Sequence, residues 1–205
     1  MDMGRVVYGK IIKRVSDYAL AACALIVLSP VFLAIAVWIK LDSRGPVFFK
    51  QKRVGRHKKL FNILKFRTMR QDCPHDTPTH LLDDPQRYIT RSGRFLRKTS
   101  LDELPQLLNI LLGQMSIIGP RPALWNQTDL IALRDRYGAN DVLPGLTGWA
   151  QVNGRDELPI ARKAELDGEY VCKMGFGMDW RCYCRTITAV FRREGVREGR
   201  SSVSR

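Results

Sequence analysis

Asp102 and Glu103 are adjacent acids in a chain whose formal net charge is +14. They stand in Thr99-Ser100-Leu101-Asp102-Glu103-Leu104-Pro105-Gln106-Leu107-Leu108-Asn109, and Leu101, Leu104, Leu107, Leu108, Leu111 and Leu112 recur at helical spacing. That spacing predicts a helix with Ser100 as N-cap and Glu103 closing a capping box. Both carboxylates then fall in the first turn, where unpaired N–H groups and the helix dipole favour negative charge. Two readings stand side by side, a helix cap and a chemical site. The cations nearby suggest that the chemistry would concern phosphate. Arg94, Arg97 and Lys98 are close enough in sequence to hold phosphate beside Asp102. Arg121 lies between Pro120 and Pro122, which restrict its backbone, so little freedom remains to be lost when its planar fork grips a phosphate. The alternative is a rigid turn with an exposed Arg. Phe61, Ile63, Lys65 and Arg67 share one face of an expected strand, as part of the site or as a solvated basic edge. The block Pro144 to Arg155 has glycines that allow a backbone to approach a ligand closely and ends on a cation.

The excess of positive charge points to an anionic partner: nucleic acid, an anionic membrane surface or a phosphorylated substrate. The five cysteines, with no paired spacing, read as reduced residues of a cytoplasmic compartment rather than zinc ligands. A nucleic-acid binder would account for the charge, but not for the acids at 102 and 103 or for the apolar segment near the N-terminus.

That segment runs from Tyr18 to Ile39 without a charged residue. As a straight helix it would reach about 33 Å, enough to cross a bilayer core. Lys10, Lys13 and Arg14 precede it, and Lys40, Arg44, Lys50, Lys52 and Arg53 follow it. Basic residues prefer the cytoplasmic side, so both ends favour the same face. Ser29-Pro30 lies near the midpoint, where Pro30 removes a helical hydrogen bond and the Ser29 hydroxyl can satisfy a freed carbonyl. The expectation is a re-entrant helix–break–helix, with a spanning helix and a buried soluble helix as alternatives.

Behind it, Val47 to Gln51 and Lys59 to Met69 read as strands around the loop at 54–58. Gln71 to Ile89 reads as a loop. Gln127 to Tyr137 and Ala161 to Lys173 read as helices, the second carrying Glu165, Asp167 and Glu169. Phe176, Met178, Trp180 and Tyr183 form an aromatic-rich stripe suited either to a membrane interface or to the core. The predicted organisation is three parts. Residues 1–45 form an amphipathic lead-in and membrane helix, residues 46–191 a compact, helix-rich α+β (mixed α/β) catalytic body with a short β-hairpin, and residues 192–205 a basic tail expected to be disordered.

Taken in order, these features resemble the small monotopic phosphoglycosyl transferases, bacterial sugar transferases acting on a polyprenol carrier. The resemblance rests on the Ser29-Pro30 break, Pro46-Val47-Phe48-Phe49, Lys65-Phe66-Arg67-Thr68-Met69, Ser100 to Gln106, Gly119-Pro120-Arg121-Pro122 and the Pro144–Arg155 block. It covers nearly the whole chain, from about Tyr8 to about Arg193. It implies a re-entrant membrane helix at the cytoplasmic face of the bacterial inner membrane, in contact with anionic phospholipid. It also implies transfer of a sugar phosphate from a UDP-sugar to polyprenol (undecaprenyl) phosphate, with Mg²⁺ as cofactor and UMP as by-product. By position, Asp102 resembles the family's nucleophile and would approach Mg²⁺, Glu103 its neighbouring acid, and Arg121 its phosphate-gripping Arg. Lys65, Arg67, Arg97, Arg155 and Asp167 fall around the family's active site as substrate-binding positions. A homodimer is compatible with this reading, and nucleic acid is not expected as a partner. A single-step transferase with Asp102 only as a metal ligand is the nearest rival. One departure stands at Asp156-Glu157-Leu158-Pro159-Ile160, where some members carry Asn and a Trp; this bears on which sugar is accepted.

Overall fold

The computed structural model describes residues 8–73, 85–154 and 157–192. A π-type turn, Tyr8–Ile12, leads into α1, Lys13–Asp42, a helix of 30 residues and about 45 Å. Its residues are helical throughout, with Pro30 inside, so the two halves expected on either side of Ser29-Pro30 meet without a non-helical stretch between them. Pro30 sits inside it and cannot donate to the Ile26 carbonyl, which instead accepts the Ser29 hydroxyl at 2.8 Å. That local repair lets the helix run through a residue that would otherwise break it.

One face of α1 is covered by the rest of the protein. Ala21, Ala24, Leu25 and Leu28 pack around Ile63, Leu107, Ile110 and Met115. Phe32, Ile35 and Ile39 pack around Phe66 and Leu96. Its other faces are bare: Ile26 and Val27 are each 74% exposed, Leu33 69% and Leu41 82%. Length and apolar composition suffice for a membrane span.

The expected hairpin forms from β1, Phe48–Val54, and β2, Leu60–Phe66, antiparallel with Phe49 opposite Lys65. α2, Arg91–Thr99, follows, N-capped by the Thr90 hydroxyl. A 3₁₀ turn, Leu101–Glu103, leads to the short α3, Gln106–Leu111. β3, Ser116–Ile118, then α4, Thr128–Arg136, and β4, Gly145–Thr147, come next. α5, Trp149–Val152, α6, Ile160–Lys173, and α7, Phe176–Arg192, complete the described chain. Among the described residues the result is helix-rich α+β with two two-stranded sheets.

The second sheet, β3 parallel to β4, was not legible in the sequence. It explains the glycines of the Pro144–Arg155 block differently from ligand approach. A Cβ on Gly145 would lie 2.1 Å from the Gly119 nitrogen, and one on Gly148 2.0 Å from the Gly119 carbonyl oxygen. These glycines let two backbones meet.

Candidate active site

Asp102 and Glu103 are presented by the 3₁₀ turn, not by the first turn of an α-helix. The turn follows from Ser100, at φ +57° and ψ +15°. That left-handed conformation costs a non-glycine residue on the order of 1 kcal/mol. Ser100 ends α2, its N–H bonding the Arg97 carbonyl, and its side chain makes no capping bond. The expected capping box is therefore absent. Leu101 and Leu104 turn inward onto Ile35, Ile39, Phe66 and Leu96. The two acids are left facing the hairpin and the segment after β3.

From β2 comes Lys65, whose Nζ donates to Glu103 Oε1 at 2.6 Å and stands 3.7 Å from Asp102 Oδ2. From the segment after β3 comes Arg121, whose Nη2 donates to the same Glu103 oxygen at 2.9 Å. Both flanks of Arg121 are tied down. The Pro120 carbonyl accepts from Gly145 N at 2.9 Å, and the Pro122 carbonyl from Arg53 Nη1 at 3.1 Å. The Arg121 side chain is 35% exposed, against 18% for Lys65, 13% for Glu103 and 12% for Asp102, so it is the outermost of the four.

These contacts separate the two acids electrostatically. Burial pushes the Asp102 carboxyl above its ordinary range; Lys65 opposes the shift and the Glu103 charge adds to it. Burial acts on Glu103 in the same direction, but Arg121 and Lys65 together outweigh it and hold Glu103 well below the usual range. Glu103 is a fixed counter-ion for two cations. Asp102 is the carboxylate whose charge is less fully compensated.

Among the described residues, no three His, Cys, Asp or Glu side chains gather as a metal cage. Mg²⁺ binds through one or two carboxylates with phosphate oxygens and water supplying the rest. The site fits such a substrate-borne ion, with Asp102 as the carboxylate that has charge to offer.

The remaining sequence-derived site residues are distributed as follows. Arg97 donates through Nε to Thr68 Oγ1 at 2.9 Å and lies within electrostatic range of Asp102. Arg155 lies outside the described residues. Asp167 is fully buried in α6, accepting from Arg134 Nε at 2.8 Å and Nη2 at 2.5 Å. None of these bonds joins it to the Asp102–Glu103 cluster; Arg134 instead lines a small cavity with Pro120 and Pro122.

Arg67 departs most from expectation. It is 4% exposed, and its guanidinium donates to the Arg44 carbonyl at 2.5 Å, the Ser43 carbonyl at 2.7 Å and Ser43 Oγ at 2.9 Å. It lies one residue past β2, where the alternation that paired it with Lys65 no longer applies, and it clamps the end of α1. Arg67→Met should cost on the order of 3 kcal/mol of stability, because charge-assisted bonds are lost and two carbonyls are left unpaired. Substrate KM should stay within about twofold. A raised KM with unchanged thermal stability would return Arg67 to substrate binding.

The sequence carried no signal for three supporting residues. Asn109, 1% exposed, accepts from Leu64 N at 2.9 Å and donates to the Asn62 carbonyl at 2.9 Å, fastening α3 to the free edge of β2. Arg53 braces the Pro120–Pro122 segment through the Pro122 carbonyl, and Arg134 holds the buried Asp167. Each is an ordinary polar residue until the tertiary neighbour is known.

Against known proteins, a family described as bacterial sugar transferase matches residues 8–193. The chain is 41% identical over 188 residues to the uncharacterized sugar transferase EpsL of Bacillus subtilis, covering 92% of this chain and 91% of that one. It is 37% identical over 198 residues to the exopolysaccharide production protein ExoY of Sinorhizobium fredii, covering 89% and 86%. It is also 42% identical over 190 residues to the UDP-glucose:undecaprenyl-phosphate glucose-1-phosphate transferase of Xanthomonas campestris. There the alignment covers 89% of this chain but only 39% of the longer relative.

Proposed function

The chain belongs to the bacterial sugar transferase family, and from that premise we propose that it moves a sugar phosphate from a UDP-sugar to polyprenol phosphate through a covalent intermediate on Asp102. The observation that carries this reading is the division of labour between the two acids: Glu103 is locked to Lys65 and Arg121, while Asp102 keeps an uncommitted carboxylate beside the same cations.

In the first step an Asp102 carboxylate oxygen attacks the β-phosphorus of the UDP-sugar. The bond from that phosphorus to the bridging oxygen breaks, and UMP leaves with the electron pair. The enzyme then holds an acyl phosphate bearing the sugar. In the second step an oxygen of polyprenol phosphate attacks that phosphorus, Asp102 departs as carboxylate, and a polyprenyl diphosphate-sugar forms. Splitting the transfer in two is what a covalent nucleophile offers. Arg121, outermost and braced on both sides, grips the diphosphate with its fork. Lys65 neutralises charge that builds between Asp102 and phosphorus. Asp102 is the residue that would hold Mg²⁺, which would supply neutralisation of the charge on the leaving UMP.

A lipid acceptor and a soluble donor require a site at a membrane surface, and α1 supplies the anchor as a re-entrant helix. Its bare apolar faces favour lipid over water. Both its ends are tied to one body: Asp17 accepts from Ser116 Oγ at 2.6 Å, and Asp42 accepts from Ser92 N and Oγ at 2.8 Å. A body on one side of a bilayer does not hold both ends of a spanning helix. The relatives' names include UDP-glucose and undecaprenyl phosphate, which makes these the first pair to try.

The test is UMP release from a panel of UDP-sugars by the purified chain in nanodiscs with Mg²⁺. Multiple turnover is expected only when undecaprenyl phosphate is added. No UMP with any UDP-sugar, acceptor present, would overturn the proposal.

A further inference from the structure

Around Asp102 the backbone bonds run three residues apart. Glu103 N donates to the Ser100 carbonyl at 3.2 Å, Leu104 N to Leu101 at 3.2 Å, Leu107 N to Leu104 at 3.0 Å and Leu108 N to Pro105 at 3.0 Å. At three residues per turn, side chains three apart stand in columns, and in the α-helix that follows they remain neighbours. Leu101, Leu104, Leu107 and Ile110 make an apolar column, sunk into the two clusters that α1 shares with the body. Glu103, Gln106 and Asn109 make a second column, over β2. At one end Glu103 accepts from Lys65. At the other Asn109 is fastened to Leu64 and Asn62. Gln106 stands between them and is 1% exposed.

The two amides of this column are treated oppositely. Asn109 Oδ1 accepts from Leu64 N at 2.9 Å, and its Nδ2 donates to the Asn62 carbonyl at 2.9 Å and to Gln114 Oε1 at 2.7 Å. Gln106 Nε2 is buried and has no hydrogen-bond partner. An amide donor shut away from water without a partner is destabilising, and native structures rarely keep one. Gln106 keeps it four residues from Asp102. Side chains so placed on a helix have Cβ atoms about 5–6 Å apart, within reach of an amide and a carboxyl. In the resting site Lys65 draws the Asp102 charge, standing 3.7 Å from Oδ2. Once Asp102 carries phosphorus its carboxyl is neutral, and its carbonyl is free to turn to the amide.

We infer that Gln106 is a catalytic residue of the second half-reaction, its Nε2–H donating to the Asp102 oxygen that is not bonded to phosphorus. In the loaded enzyme that oxygen is the carbonyl of the acyl phosphate. When an oxygen of polyprenol phosphate attacks phosphorus, the bond from phosphorus to Asp102 breaks and its electron pair returns to the carboxylate. The hydrogen bond strengthens as that charge appears, so it stabilises the transition state more than the loaded enzyme. In the first half-reaction the bond is absent at the start and gains nothing from charge leaving Asp102. The inference rests on the covalent reading of Asp102.

Gln106→Met in the full chain, in nanodiscs, removes the amide at nearly constant volume. With Mg²⁺ and a UDP-sugar that the parent turns over, but no acceptor, the variant should keep the one-equivalent release of UMP, slowed no more than about threefold. Decay of the adduct, followed by intact mass after undecaprenyl phosphate is added, should slow about 10²-fold, the scale of one lost oxyanion donor. The melting temperature should equal or exceed the parent's, because a buried unpaired donor is gone. Adduct decay at the parent rate, or equal slowing of both half-reactions, overturns the inference while the covalent reading stands. A clearly lower melting temperature would show that the amide serves the fold, and the inference fails. If the parent itself forms no adduct, the covalent reading fails and the inference with it.

Discussion

Asp102→Asn is expected to lower UMP release by at least about 10⁴-fold, the scale on which loss of a covalent nucleophile is felt. The substitution keeps size and shape, so the fold and the Glu103 ion pairs should survive; melting within a few degrees of the parent checks this. The parent enzyme given UDP-sugar and Mg²⁺ without acceptor should release one equivalent of UMP and gain the mass of one sugar phosphate. The Asn variant should do neither. A parent that never shows the adduct, yet turns over with acceptor present, would make Asp102 a metal ligand in a single-step transfer. The pH dependence adds a second readout. Attack needs the ionised carboxylate, and burial together with the Glu103 charge raises the Asp102 pKa in the folded protein. The acid limb of kcat/KM for the UDP-sugar, which reports the free enzyme, should therefore lie above the ordinary aspartate value of about 3.9. A limb at or below that value would contradict the electrostatic picture.

Glu103→Gln should move stability and the acid limb in ways that a purely structural residue would not. Two cations lose their shared anion. Removing one member of a buried pair costs about 3–5 kcal/mol; because the Arg121 side chain is 35% exposed, solvent screening reduces the expected loss to roughly 2 kcal/mol. The folded Glu103 pKa lies well below its unfolded value. Its stabilisation is then complete above about pH 4.3 and fades only on acidification through the folded pKa. The deficit of the Gln variant should accordingly be constant from about pH 6 to 8 and shrink in strong acid. At the same time the repulsive neighbour of Asp102 is gone and Lys65 is released toward it, so the acid limb should shift to lower pH. With Arg121 no longer oriented by its anion, kcat/KM should fall by about 10²-fold, as when one transition-state donor is lost. An acid limb that stayed in place would show that Glu103 does not set the charge state of Asp102.

Much of this was legible in the sequence because it depends on local pattern. The uncharged run from Tyr18 to Ile39 marked an apolar segment of membrane-spanning length, read as a helix broken at Ser29-Pro30, and alternation around a short loop implied the hairpin. Pro120 and Pro122 marked Arg121 as restrained, and the order of short motifs pointed to the family. What the chain could not disclose locally was decided by distant neighbours. The capping box at Ser100 and Glu103 was locally sound, yet a left-handed Ser100 turned Glu103 across to Lys65 and Arg121, since two ion pairs outweigh one backbone cap. Arg67 shared a predicted face with Lys65, but the strand ends at Phe66, and the nearest unpaired carbonyls belong to Ser43 and Arg44 at the end of α1. Asp167 found Arg134 rather than the cluster, and glycines that looked like ligand contacts proved to seat β4 against Gly119. Residue types and their spacing thus determined which groups were available for phosphate chemistry. Only the tertiary structure decided which of them compensate one another's charge, because Coulomb attraction and desolvation act through space and are blind to position along the chain.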